Sequence, residues 1–272
     1  MEALTKYTYQ SSPVIAFNDI ADPKNWYKVL SIMLDTEVRN VEDPKTNEGI
    51  ADFSSILGKG LLKIRVAIYA ESTAKLNLMV YNLKEAFNPR LTQENSNSDE
   101  GYLPFQWTDV VDTDTFNLQV YAKPVEIPKV VRTEKGSGTI VEITCKIKEP
   151  KKVGQATKTI VLTAAAATGV TGNSGDMPAY PVITITGPTA ANPKILYNET
   201  GEYIQIDTTI LTGHVVIIDC KKATITDNGT NIYGYKHAGS TFFDIKSGTV
   251  TLIGSNLSTG NVSVVFRDSW TL

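Results

Sequence analysis

The chain has 272 residues, of which 42% are apolar and 20% charged, so wholesale disorder is excluded and there is material for one large core or two of ordinary size. A formal charge of -3 and a pI near 5.5 provide no broad basic face, which argues against sequence-specific nucleic acid binding. Two cysteines, Cys145 and Cys220, are too few for a disulfide framework or a zinc cluster, and each lies in an apolar strand pattern as a buried free thiol would.

Met1 to Tyr7 lacks the charged and apolar regions of a signal peptide, and no stretch approaches the roughly 18 apolar residues of a membrane helix. Synthesis in a cytoplasm without a membrane segment is therefore expected. Residues 1–25 are polar and turn-rich. Trp26 to Leu34 is the first apolar run, and its β-branched and aromatic content favours a strand. A loop is expected over Asp43 to Gly49. Leu61 to Tyr69 alternates cleanly, with Leu62, Ile64, Val66 and Ile68 on one face and Lys63 and Arg65 on the other.

One amphipathic helix follows. Ser72 and Thr73 offer N-caps, and Leu76, Met79, Val80, Leu83 and Phe87 make one stripe of a 3.6-residue period. Asn88-Pro89 ends it, because proline disfavours helical backbone in the residue before it. Gln93 to Gly101 is a polar loop. Strands are expected at Tyr102 to Trp107, Phe116 to Ala122 and Val125 to Val131, then a Gly136-Ser137-Gly138 turn and a strand over Thr139 to Lys148. Glu149-Pro150-Lys151-Lys152 places a domain boundary near residue 150.

In the second half, Thr157 to Ala165 is β-branched and then alanine-rich, and Thr168 to Pro181, with three glycines and two prolines, is expected to be a surface loop. Short strands then recur about every ten residues. They are expected at Tyr203 to Ile206, His214 to Asp219, Ala223 to Thr226, Thr241 to Ile245, Thr249 to Ile253 and Asn261 to Arg267, with turns at Asp227-Asn228-Gly229 and Lys246-Ser247-Gly248. That spacing predicts a β-sandwich or jelly roll.

Nothing in the chain frames a reaction. Gly172-Asn173-Ser174-Gly175-Asp176 superficially matches a serine nucleophile loop, but both histidines, His214 and His237, come after it, unlike the chymotrypsin order. Asp112 and Asp114 in a loop are read as a polar turn, not a cation site, and no phosphate-binding or dinucleotide fingerprint is present. Catalytic, cofactor-binding and metal residues are therefore all predicted as none. Tyr180, Tyr197, Tyr203, Tyr233 and Tyr235 are available for a sugar platform, with packing and turn positions the plainer account.

The order of landmarks from Tyr197 onward carries a resemblance. Tyr197-Asn198 and Gly201, Ile204 and Ile206-Asp207, Leu211-Thr212-Gly213, Asp227-Asn228-Gly229, Thr241-Phe242-Phe243-Asp244-Ile245 and a closing Val264 to Trp270 resemble the distal tail proteins of long-tailed, non-contractile phages. The resemblance implies a mainly β chain. Residues 1–150 would form an N-terminal β-sandwich with one helix, assembling as a homo-hexameric ring that lines the tail channel. Residues 151–272 would form an outward-facing β-sandwich, galectin-like or similar to a carbohydrate-binding module.

The implied protein is a structural, non-enzymatic component of the virion tail tip. Its implied partners are the tail-tube protein, the tail-tip hub protein and a receptor-binding protein or tail fibre. Trp26 to Leu34, Leu61 to Tyr69 and the 93–101 loop are the expected ring contacts. Residues 1–25 and 168–181 match nothing in the family pattern. Galectin sugar chemistry does not carry over, because its histidine, asparagine, arginine and tryptophan set is not found in order here. The rival reading is a stand-alone carbohydrate-binding module protein.

Overall fold

A computed structural model describes residues 6–10, 13–19, 21, 24–38, 57–91, 101–111, 114–133, 138–149 and 151–271. The loop expected over 43–49, nearly all of the 93–101 loop, Asp112, residues 136–137 and Pro150 lie outside the described residues. The chain divides into two compact units, Met1–Lys152 and Val153–Thr271. Among the described residues no helix is long and apolar enough to cross a membrane.

The first unit contains strands β1 (Tyr7–Tyr9), β2 (Ile15–Phe17), β3 (Trp26–Val38) and β4 (Leu57–Tyr69), helix α1 (Thr73–Ala86), and strands β5 (Leu103–Val111), β6 (Asp114–Pro124), β7 (Lys129–Thr133) and β8 (Gly138–Ile147). The antiparallel order is β2-β1-β5-β6-β8-β4-β3. β3 and β4 pair over 13 residues each, a ladder of roughly 40 Å, with Leu30 bulged out of β3 and an extra residue of β4 between Leu57 and Gly60. Along β4, Leu62, Ile64, Val66 and Ile68 are buried and Lys63 and Arg65 exposed, as the alternation requires.

The sheet forks at β8. One edge of β8 pairs with β4 throughout, while the other is divided: Cys145 to Ile147 pair with the end of β6, and Thr139 to Glu142 pair with β7. Two limbs diverge from this strand. Tyr9, Phe17, Phe105 and Val120 from one limb, Ile64, Ile68, Val141 and Ile143 from the other, and Leu76, Met79 and Leu83 from α1 share one core cluster. This is the sandwich with one long helix that the sequence leads one to expect.

Ser72 caps α1, its Oγ accepting the Lys75 N–H at 3.2 Å. Phe87 closes the helix, fully buried and stacked on Tyr9 with ring centroids 4.1 Å apart. The Tyr27 hydroxyl donates to the Met79 carbonyl at 2.9 Å and ties the helix to β3.

After β9 (Lys151–Gly154), the second unit runs through β10 (Lys158–Thr163), β11 (Thr168–Asn173), β12 (Val182–Thr186), β13 (Lys194–Tyr197), β14 (Tyr203–Gln205), β15 (Val215–Asp219), β16 (Thr224–Asp227), β17 (Thr230–Asn231), β18 (Gly248–Ser255), β19 (Asn261–Phe266) and β20 (Ser269–Thr271). Two antiparallel sheets, β10-β19-β12-β15-β16-β17 and β11-β18-β13-β14, enclose one core that includes Ile160, Ile183, Ile195, Ile204, Val216, Leu252 and Val264. The alternation of buried and open positions along β10, β12 and β19 is that of a sandwich strand.

Two expectations are corrected here. Residues 168–173 are not loop but β11, paired with β18 from Thr168↔Ile253 to Asn173↔Gly248. Glycine at 169 is a packing requirement, since a Cβ there would stand 2.2 Å from Ile160 Cγ2. Conversely, 241–245 is not a ladder strand. Phe243 and Ile245 are buried, but the Thr241 N–H goes to Tyr203 O and Ile245 makes only an isolated bridge with Ala179. Asn228 and Gly229 have φ of 46° and 84°, the two left-handed positions of a tight hairpin turn between β16 and β17.

Candidate assembly surfaces

The limb β7-β8-β4-β3 ends in two different strand edges. Among the described residues β7 pairs with β8 alone and β3 with β4 alone. The first part of the β3 edge is closed by Asn18, whose N–H donates to Tyr27 O at 2.7 Å and whose Oδ1 accepts the Val29 N–H at 2.8 Å. Asn18 holds this position with φ of 56°, which asparagine tolerates better than most residues. From Leu30 onward the β3 edge pairs with no described strand. Val125, Ile127, Val130 and Val131, in and just before β7, are all exposed, about half of Ile127 and Val131 being open to solvent. Exposed β-branched residues on an open edge are the sequence chemistry of strand addition.

The outer face of the limb is built by the odd positions of β4 and their cross-strand partners. At one end, Trp26 stacks on Tyr69 at 5.6 Å, and a shallow groove of about 220 Å³ runs between Leu30, Ala67, Tyr69 and Ile140. At the other end, a groove of about 300 Å³ is lined by Met33, Lys63, Arg65, Glu142 and Thr144. Arg65 and Glu142 face each other across the strands at 3.2 Å, both about half exposed, so this pair contributes at most about 1 kcal/mol. Its value is positional. It fixes a polar row beside the exposed Met33.

The motifs singled out in the sequence do not converge on a reaction centre. Ser174 is exposed and accepts from Lys158 Nζ at 3.3 Å. His214 pairs with Asp227 at 2.7 Å and His237 with Asp207 at 2.9 Å, and neither is a partner of Ser174. The loop around Ser174 is organised by buried Asn173 instead, whose Nδ2 donates to the carbonyls of Met177 and Ile245 and whose Oδ1 accepts the Gly175 N–H. Gly175 backs onto Ser269, where a Cβ would stand 1.8 Å from its carbonyl oxygen. Asp114 opens β6 opposite Val111.

Both cysteines are buried and unpaired with one another. Burial pushes the Cys145 thiol well above its usual range, and burial together with nearby Asp219 pushes Cys220 up to about 12. Neither is a nucleophile at neutral pH. Of the five tyrosines, Tyr197 is buried in the core, and Tyr203 is half-buried under Lys194, whose Nζ lies 4.0 Å from the ring centroid. Tyr180, Tyr233 and Tyr235 are exposed. The divided edge of β8 and the role of Asn18 carry no local sequence signal; only the left-handed preference of asparagine hints at the latter.

Residues 174–270 match the family model described as siphovirus-type tail component, C-terminal domain. The crystal structure of phage SPP1 Dit (gp 19.1), described as a paradigm of the hub adsorption apparatus in phages infecting Gram-positive hosts, matches with a TM-score of 0.59 at 13% identity, covering 98% of this chain and 99% of that one. Two structures of the phage p2 baseplate in its activated conformation, with Ca and with Sr, match at TM-scores of 0.44 and 0.43 and identities of 9% and 10%. Each covers 96% of this chain and 98% of its own. No curated protein sequence matches. The resemblance to distal tail proteins thus holds for the C-terminal unit by its family model and for the chain by its fold.

Proposed function

We propose that this chain, which has a distal tail protein fold and a siphovirus-type tail-component domain, is a structural ring adaptor of a phage tail tip. The region 1–150 forms the ring that continues the tail channel, and the region 151–272 presents an outward β-sandwich. Six copies join the tail tube on one side to the tip hub on the other, and a receptor-binding protein or fibre docks on the outer domain. The protein acts through interfaces and catalyses no reaction.

The observation that carries this reading is the limb with two open, sequence-distinct edges, β7 and the distal half of β3. Identical edges would pair copies two-fold and stop. Different edges pair head to tail, and head-to-tail contacts close into a ring when the rotation divides a full turn. Mass photometry and negative-stain imaging of the full chain, alone and with tail-tube protein, test it. Hexamers or closed rings are expected. A monomer at all micromolar concentrations that tail-tube protein fails to assemble refutes the ring.

A further inference from the structure

The edge of β14 is covered by the segment 232–241, and the backbone there is braced at several points. Asp207 N–H donates to Tyr235 O at 2.7 Å, His237 N–H to Gln205 O at 3.0 Å and Thr241 N–H to Tyr203 O at 2.9 Å. Lys236 Nζ donates to the Ser240 carbonyl at 2.6 Å, and Ser240 Oγ accepts the Gln205 N–H at 2.9 Å. On this stiff support Tyr233 and Tyr235 remain 47% and 52% exposed. Tyr233 stacks on Phe242 at 6.1 Å. Rigid aromatic rings held in water add contact area at little entropic cost when a ligand arrives.

Beside these rings lies a polar network. The Asp207 carboxylate accepts from Gln205 Nε2 at 2.7 Å and pairs with His237 Nδ1 at 2.9 Å. The Gln205 amide, then the His237 imidazole, hold its carboxyl below the usual range, so it stays an ionised acceptor. With Nδ1 paired to the carboxylate, His237 keeps Nε2 for a further hydrogen bond, and Gln205 keeps its Oε1. Tyr203, 6.2 Å from His237 between ring centroids, walls the imidazole in. Gly239 makes this possible, since a Cβ there would stand 2.5 Å from the Tyr203 hydroxyl.

The chemistry of the cluster selects among ligands. A peptide strand needs an open edge, and that of β14 is taken. A phosphate or polyanion needs uncommitted cations, but Lys236 is spent on backbone carbonyls and Lys194 on Tyr203, with the Asp207 charge nearby. A cation needs at least three ligating groups, and no such group occurs among the described residues. A sugar ring offers C–H faces to tyrosine and hydroxyl donors to fixed acceptors.

We infer that Tyr233, Tyr235, Gln205, Asp207 and His237 form a binding site for a neutral pyranose saccharide. The tyrosines take the apolar faces, and the Gln205–Asp207–His237 network receives the hydroxyls. The site goes beyond the adaptor role and operates whether or not the ring forms.

The test is an array of neutral and anionic mono- to tetrasaccharides probed with the full chain, followed by calorimetry on the glycans retained. Saturable binding to a restricted set of neutral glycans is expected. Tyr235→Ala and His237→Ala should each weaken it about tenfold or more, while Tyr81→Ala on α1 changes it by less than about twofold. Tyr235 is exposed, so melting temperatures of the Tyr235→Ala and Tyr81→Ala proteins should equal that of the parent. Silence on neutral glycans, or binding untouched by Tyr235→Ala, overturns the site. So does binding confined to anionic glycans. A silent array with loss of partner-protein docking in Tyr235→Ala would assign the patch to a protein interface instead.

Discussion

The β7 and β3 edges of the first unit and the β14 and β17 edges of the second are treated in opposite ways. In the first, a four-stranded limb ends in β7 and β3 with exposed apolar side chains, and Asn18 closes only the start of one edge. In the second, β14 is covered by 232–241 and β17 is two residues long, while β10 and β11 end their sheets as six-residue strands. Open edges invite pairing with another chain, and covered or short ones prevent it. The β7 and β3 edges of the first unit are therefore suited to pairing with another chain, and the β14 end of the second unit offers side chains rather than backbone.

The contrast breaks if the two cores do not behave separately. Phe87→Ala removes a fully buried ring and should cost about 3–5 kcal/mol in the first unit alone. Hydrogen exchange should then show faster amides around β4 and β8 and unchanged protection at Ile183 and Ile185 of β12. Equal acceleration in both units would make them one cooperative body. Asn173→Ala is the matching change in the second unit. It strands two carbonyls and an N–H, for a loss of about 2–3 kcal/mol by denaturant titration, with the first unit silent.

Smaller changes sharpen the edges themselves. Asn18→Gly keeps the left-handed backbone but removes the acceptor of the Val29 N–H, and should cost about 1–2 kcal/mol. Paired Val130→Lys and Val131→Lys should raise the protein concentration needed for rings about tenfold, read by mass photometry, whereas Val161→Lys on β10 leaves it unchanged. The smallest effect is electrostatic. Gln205→Ala should return the Asp207 carboxyl towards 3.8, measured by carboxyl-carbon NMR titration. Because the folded value is the lower one, the associated stability is present above 3.8 and fades as pH falls through the folded value.

Much of this could be read from single elements. The stripe of α1, its Ser72 cap and its end near Asn88-Pro89, the alternation of β4 and β8, and the Asn228-Gly229 turn are local signals, and local physics decided them. What escaped was set by partners distant in sequence. β11 looks like a loop partly because of Gly169, which is there for the proximity of Ile160 and not for a turn. Residues 241–245 have a strand's composition, but their backbone groups are claimed by Tyr203 and Ala179. Of the tyrosines weighed as a platform, burial removes Tyr197 and leaves Tyr233 and Tyr235 standing beside a polar network assembled from residues thirty apart.

The position of β19 has a consequence for how the protein is made. This strand lies between β10 and β12 and pairs with both. On the ribosome, β10 and β12 therefore emerge about a hundred and about eighty residues ahead of the strand that joins them. The first unit can complete its core during translation. The second stays unzipped until β19 leaves the exit tunnel, and a chain cut short before Asn261 would never close it.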